Sequence, residues 1–198
     1  MSLFETIFGT ESSRAYKFAT ILYIIVSFGL LSSVNLEIFT RHAADAGSWI
    51  KPAQGFSEHL AFVDPDDPAI PMNYRPPAYP FFVGIAMIAA GSLFPLIVVV
   101  VQLILHFGTA VVTSRLAESI ESSMGPVAFT LMLFNPNSFG SVFFVQSETL
   151  NAFFVVFIVL GLFQFARNGS FSAVAITGIA VGLVSLTRPE GQFLMILV

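Results

Sequence analysis

Long apolar runs separated by short polar stretches set the pattern of this chain. No charged residue occurs from Phe18 to Leu36, and about 20 apolar residues at roughly 1.5 Å each suffice to cross the hydrocarbon core of a bilayer. The pattern therefore predicts a first membrane span over 18–39. Uncharged sequence then runs from Pro76 to Ser114, too long for one crossing, and GSLFP at Gly91 to Pro95 divides it. The front piece, 79–90, is short for a full span and predicts a short membrane helix that opens at Pro76-Pro77, since Pro is favoured in a helix's first turn. The back piece, 95–114, is a full span. Further membrane segments are predicted over 122–147, 149–166 and 171–187. Asn135-Pro136-Asn137 interrupts the first of these, and Gly178 and Gly182 stand in a GxxxG spacing that allows close helix contact in the last. Residues 188–198 read as the start of another segment: GQFLMILV breaks off where a helix would begin, which predicts the front part of a longer membrane protein.

One long polar stretch interrupts this pattern. Residues 40–78 form a predicted loop, and Arg41 to Pro80 holds eight of the twenty charged residues, the only Trp, two of the three His and seven of the eleven Pro. Arg14 and Lys17 precede the first span and put the N-terminus on the cytoplasmic side, so the loop lies outside. If 79–90 does not cross, parity brings Glu148 and the Arg188/Glu190 pair back to the face of the loop. Arg14, Lys17, Arg115 and Arg167 then share the opposite face.

Composition agrees with the spans. Hydrophobic residues make up 56% of the chain and charged residues 10%, against about 25% charged in a soluble domain. The reading is an all-α polytopic membrane protein, integral and multi-pass, in contact with membrane lipids. The absence of cysteine excludes disulfides and thiolate metal sites. A net charge of −4 with no basic stripe argues against nucleic acid as a partner. The first apolar run is too long for a cleaved signal peptide and lacks a small-residue cleavage site behind it.

Few residues remain to carry chemistry. Asp45 lies just beyond the first span in AADAGSWI; half desolvated at the membrane surface, it is a candidate general base toward a hydroxyl nucleophile, or else a helix-capping or solvated acid. Arg75, in YRPPAYP, offers a fork suited to phosphate or carboxylate, or a side chain that snorkels to headgroups. Glu148 lies between two uncharged runs, where an ionisable group needs an interface or a partner. Arg188 and Glu190, bracketing Pro189, form either a structural clamp or an anion site. His106 reads as a hydrogen-bonded helix contact rather than a ligand. The three carboxylates of DPDDP, Asp64 to Pro68, leave room for a divalent cation, but a Pro-rich acidic turn is the favoured account because no distal Glu or Gly-containing loop completes a metal site.

Taken in order, the polar loop with its early Asp, RPPAYPFFVGIA, VQLILHFGTAVVTSRL, QSETLNAFFVVFIVLGLF and GIAVGLVSLTRPEG resemble the N-terminal module of the GT-C superfamily of membrane glycosyltransferases, in the branch of protein O-mannosyltransferases and aminoarabinose-to-lipid-A transferases. The resemblance runs from about Tyr16 to Gln192. It implies an enzyme of the bacterial inner (plasma) membrane that moves a sugar from a polyprenyl-phosphate donor to a lipid, glycan or protein acceptor on the outer face. It also implies Asp45 as catalytic base, Arg75 and Tyr79 beside the donor pocket, Glu148 facing the same cavity with Glu190 near it, and Arg188 toward the lipid phosphate. Two departures stand out. The acidic pair of many relatives is missing, since Ala44 and Ala46 flank Asp45, and relatives are usually much longer.

The expected reaction is an inverting transfer that calls for no redox or nucleotide cofactor. The alternative is a non-catalytic membrane scaffold or lipid-carrier-handling protein that kept the module and lost the reaction. A secondary transporter is weaker still, because no inverted repeat is visible.

Overall fold

The computed structural model describes residues 13–33, 39 and 45–196. The predicted end of the first span at 34–38, and Arg41, His42 and Ala44 of the polar loop, lie outside the described residues. The described residues are helical throughout apart from turns and one isolated bridge between Val63 and Pro71. Among the described residues, three stretches are long and apolar enough to cross a membrane: Arg14–Ser33, Ala78–Ile120 and Glu148–Asn168.

Helix α1, Ser13–Ser33, and helix α4, Phe94–Ile120, form the first pair. At 1.5 Å per residue they measure about 31 and 40 Å. They run antiparallel: Tyr16 Oη meets Ser114 Oγ at 2.8 Å, while Tyr23 Oη donates to the Leu103 carbonyl at 3.1 Å. Tyr16, Ala19, Tyr23 and Ala110 pack with Phe129 and Leu133 of α5, Met124–Leu133, in one buried cluster. The other face of α1 carries Phe18, Ile21, Ile25 and Phe28 outward.

The polar loop is not all loop. Helix α2, Ala46–His59, occupies its front half. Its buried stripe of Trp49 and Ala53 lies on Tyr79, Val83 and Ala86 of α3, Ala78–Ala90. The sequence reading missed α2 because Gly47, Pro52 and Gly55 obscure its period, but Pro52 falls inside the helix all the same.

At about 20 Å, α3 is too short to span a hydrocarbon core of about 30 Å. It folds back on α4 rather than continuing into it. Gly91 takes φ +55° at the bend, a conformation that costs a glycine nothing, and the 3-10 turn Gly91–Leu93 leads into α4. Tyr79 thereby reaches Gln102, 23 residues away, at 2.9 Å. In an unbroken helix those residues would stand about 35 Å apart.

The predicted segment 122–147 is not one helix. It divides into α5, the short α6 (Pro136–Ser141) and an irregular stretch to Ser147. Asn135 causes the break: its Oδ1 accepts from the Asn137 and Ser138 amides at 3.1 Å, capping α6 with Pro136 in the first turn. Helix α7, Glu148–Asn168, then runs alongside α4, and α8, Phe171–Thr187, returns against α7. A 3-10 segment, Pro189–Ile196, follows.

Close approach of α7 and α8 rests on Gly161, where a Cβ would overlap Thr177 Oγ1 and crowd the Ala173 carbonyl. Gly178 and Gly182 face open space, so the GxxxG spacing read from sequence is not the contact between these helices.

Candidate active site

Site residues gather around the N-terminus of α3, in two groups. The first is built on the start of α2. Asp45 stands at its N-cap position, yet its side chain makes no capping bond. It pairs instead with Arg75 Nη2 at 3.3 Å. The Ser48 hydroxyl accepts from Arg75 Nε at 3.0 Å and Nη2 at 2.7 Å, and the guanidinium lies 4.6 Å over the Trp49 ring. Two bonds and a stacking face fix the plane of the fork, and they leave Nη1 for an incoming acceptor. The Asp45 side chain is 69% exposed, so the carboxylate is open to solvent rather than half withdrawn from it.

Behind this pair the protein is closed. Trp49 meets Tyr79 edge to face at 5.4 Å, and both are buried. Tyr79 Oη donates to Gln102 Oε1, while Gln102 Nε2 donates to the Val142 and Phe144 carbonyls at 2.7 and 2.9 Å. One buried amide thus ties α3, α4 and the irregular stretch before α7, with both of its polar ends used.

The second group lies beyond Tyr79. Glu148 opens α7, where a helix N-terminus favours an anion, and it is within electrostatic reach of Tyr79. Its Oε1 accepts from Arg188 Nη1 at 3.2 Å, and Arg188 Nε reaches Glu190 Oε2 at 3.5 Å. Of the two readings the sequence left open for Arg188 and Glu190, clamp or anion site, the structure shows the ion pair, with Glu148 as a third member. The other Glu148 oxygen is buried without a hydrogen-bond partner, as is Thr149 Oγ1. Both residues line a recess of about 230 Å³ shared with His106, Thr109, Asn137 and Ser138. His106 itself lies against the Leu133 carbonyl at 3.3 Å, the helix contact expected of it.

A single cavity containing all the site residues is not what the structure contains. The recess at Glu148 and a second one at Arg188 and Glu190, of about 380 Å³, are lined by neither Asp45 nor Arg75. The wall of Trp49, Tyr79 and Gln102 stands between. Compared with models of protein families, with curated proteins and with solved structures, the chain matches none. The geometry of the site is therefore the ground for a functional reading.

Charge separates the two groups. Asp45 with Arg75 sums to zero, whereas one Arg188 between Glu148 and Glu190 sums to −1. The Arg75 fork thus stands against one carboxylate and the Arg188 fork against two. The acidic turn behaves as a turn: Asp64 pairs with Lys51 Nζ at 2.7 Å and accepts from the Asp66 amide, and Asp67 accepts from the Ala69 amide. Among the described residues no cluster of three or more His, Asp or Glu is arranged to hold a metal ion.

Sequence reasoning missed Ser48, Trp49 and Gln102. The signal for Gln102 was legible, a lone amide in VVVVQLILH, where an unsatisfied polar group is costly and so has a partner.

Proposed function

We propose that this chain is a membrane glycosyltransferase module of the GT-C type, moving a sugar from a polyprenyl-phosphate donor to an acceptor at the membrane face that carries α2. The observation that carries this reading is the Asp45–Arg75 pair, a solvent-open carboxylate and an oriented guanidinium at the mouth of a short apolar helix. Membrane residence is supported by the three long apolar helices and by the large apolar side chains exposed along α1, α4 and α7.

Asp45 takes the proton of an acceptor hydroxyl or amine as its oxygen or nitrogen forms a bond to the anomeric carbon. The bond from that carbon to the phosphate oxygen breaks, and its electron pair leaves with the polyprenyl phosphate. Arg75 Nη1 meets the charge developing on that phosphate, a donor held in place before reaction. Arg188 is committed to two carboxylates and holds Glu148 in position.

Membranes carrying the full chain and given a radiolabelled polyprenyl-phosphate sugar test the proposal. Label is expected to move from the carrier to an acceptor. Carrier that binds and keeps its sugar supports the lipid-handling scaffold instead.

A further inference from the structure

At the far end of α4 and α7 a third polar recess opens, of about 400 Å³, which the transferase reading does not use. Arg115 and Ser119 of α4 face Gln164, Arg167 and Asn168 of α7 across it. No acidic residue is part of its lining. Glu118 accepts from Arg115 Nη1 at 2.9 Å, which engages one of that fork's two terminal nitrogens. Arg167 rests its guanidinium 5.5 Å over the Phe163 ring, a contact that orients the fork and uses none of its N–H donors.

We infer that this recess binds the phosphodiester headgroup of an anionic lipid, held between Arg115 and Arg167. Two guanidinium forks with amide and hydroxyl donors between them match the oxygens of a phosphate. The lipid source follows from position: Leu116, Leu160 and Phe163 form the apolar part of the wall, so an acyl chain can lie against them below its headgroup. Basic pockets between helices at a membrane face are a known setting for such lipids. The inference rests on the membrane reading and is independent of the transferase chemistry. The bland reading is an Arg167 that complements the C-terminal dipole of α7 and an Arg115 paired with Glu118, and it requires no lipid preference.

Native mass spectrometry of the detergent-solubilised full chain, offered phosphatidylglycerol and phosphatidylcholine, separates these readings. Phosphatidylglycerol is expected to be retained over phosphatidylcholine, and Arg167→Gln is expected to reduce that preference about fivefold, the size of one basic residue's attraction to an anionic surface. Arg167→Lys, which keeps the charge and loses the fork, is expected to fall between. Lys17→Gln removes a cation outside the recess lining and is expected to leave the preference intact. Equal retention of the two lipids overturns the inference, as does an equal loss in Lys17→Gln, which would mean diffuse surface charge. Displacement of phosphatidylglycerol by millimolar inorganic phosphate would reassign the recess to a free anion.

Discussion

Gln102 ties α3, α4 and the stretch before α7 together. Fully buried, it satisfies Tyr79 Oη and two backbone carbonyls from outside its own helix. Gln102→Leu keeps the volume and strands those three groups. Each buried polar group left unpaired costs about 1–3 kcal/mol, so a loss on the order of 3 kcal/mol is expected, read as a lowered thermal midpoint in detergent. Near-wild-type stability would mean that the three groups find other partners.

The Lys51–Asp64 clamp makes a pH-dependent contribution outside the membrane segments. The Lys51 hydrogen bond holds the Asp64 carboxyl below its usual range, with help from the Asp66 amide, and the Asp64 hydrogen bond holds the Lys51 ammonium above its own. The Asp64 contribution is present above the ordinary carboxylate range and lost as pH falls through the lowered value. The Lys51 contribution is present below the ordinary ammonium range and lost as pH rises through the raised one. A thermal midpoint gap between wild type and Asp64→Asn is therefore expected to be widest from roughly pH 5 to 9 and to close toward both extremes. Lys51 is open to solvent although Asp64 is partly buried, so the gap is small. A gap independent of pH would contradict the assignment.

Among the elements, α3 decides the topology. Its fold-back at Gly91 lays its C-terminal end beside the α4 N-terminus and Tyr79 level with Gln102, so α4 begins at the end of the bundle where α1 ends. The chain has no native cysteine, which makes single-cysteine labelling clean. Ser92→Cys is expected to react with a membrane-impermeant thiol reagent from the same side as Leu60→Cys, and Ser119→Cys from the opposite side. Labelling of Ser92→Cys from the side opposite Leu60→Cys would mean that α3 crosses.

How much of this was legible varied with the element. Spans such as α4 and α7 were readable, because lipid-facing and core-facing positions are both apolar and length alone identifies them. The fold-back of α3 was readable as a length deficit, and the break at Asn135 as a capping motif. Helix α2 was not, because its glycines and proline mask an apolar stripe that becomes evident only against α3. The contact at Gly161 was equally hidden: a GxxxG spacing shows where close approach is sterically allowed, not which glycine a neighbour uses.

On the scale of the whole molecule, the polar residues sort to two ends of an apolar bundle. Asp45, Arg75, Glu148 and Arg188 lie around the N-terminus of α3, while Arg115 and Arg167 face each other at the far ends of α4 and α7. Which residues share an end followed from counting spans. That the chemistry-bearing residues fall into two groups with Tyr79 between them did not, because it depends on the Tyr79–Gln102 bond across the fold-back. On the proposed transferase reading, the split gives proton transfer and phosphate binding to Asp45 and Arg75, and leaves Glu148 beside a recess of hydroxyls and amides.

Turnover of a polyprenyl-phosphate sugar by membranes carrying the full chain, with and without Asp45→Asn, tests that assignment directly. The substitution removes a proton acceptor from an exposed position and touches no core packing, so folding and insertion should be unchanged. A loss of about 10²–10⁴-fold in transfer, the usual contribution of a general base, with donor binding retained, is the expected result. Transfer at the wild-type rate in Asp45→Asn would reject Asp45 as the base.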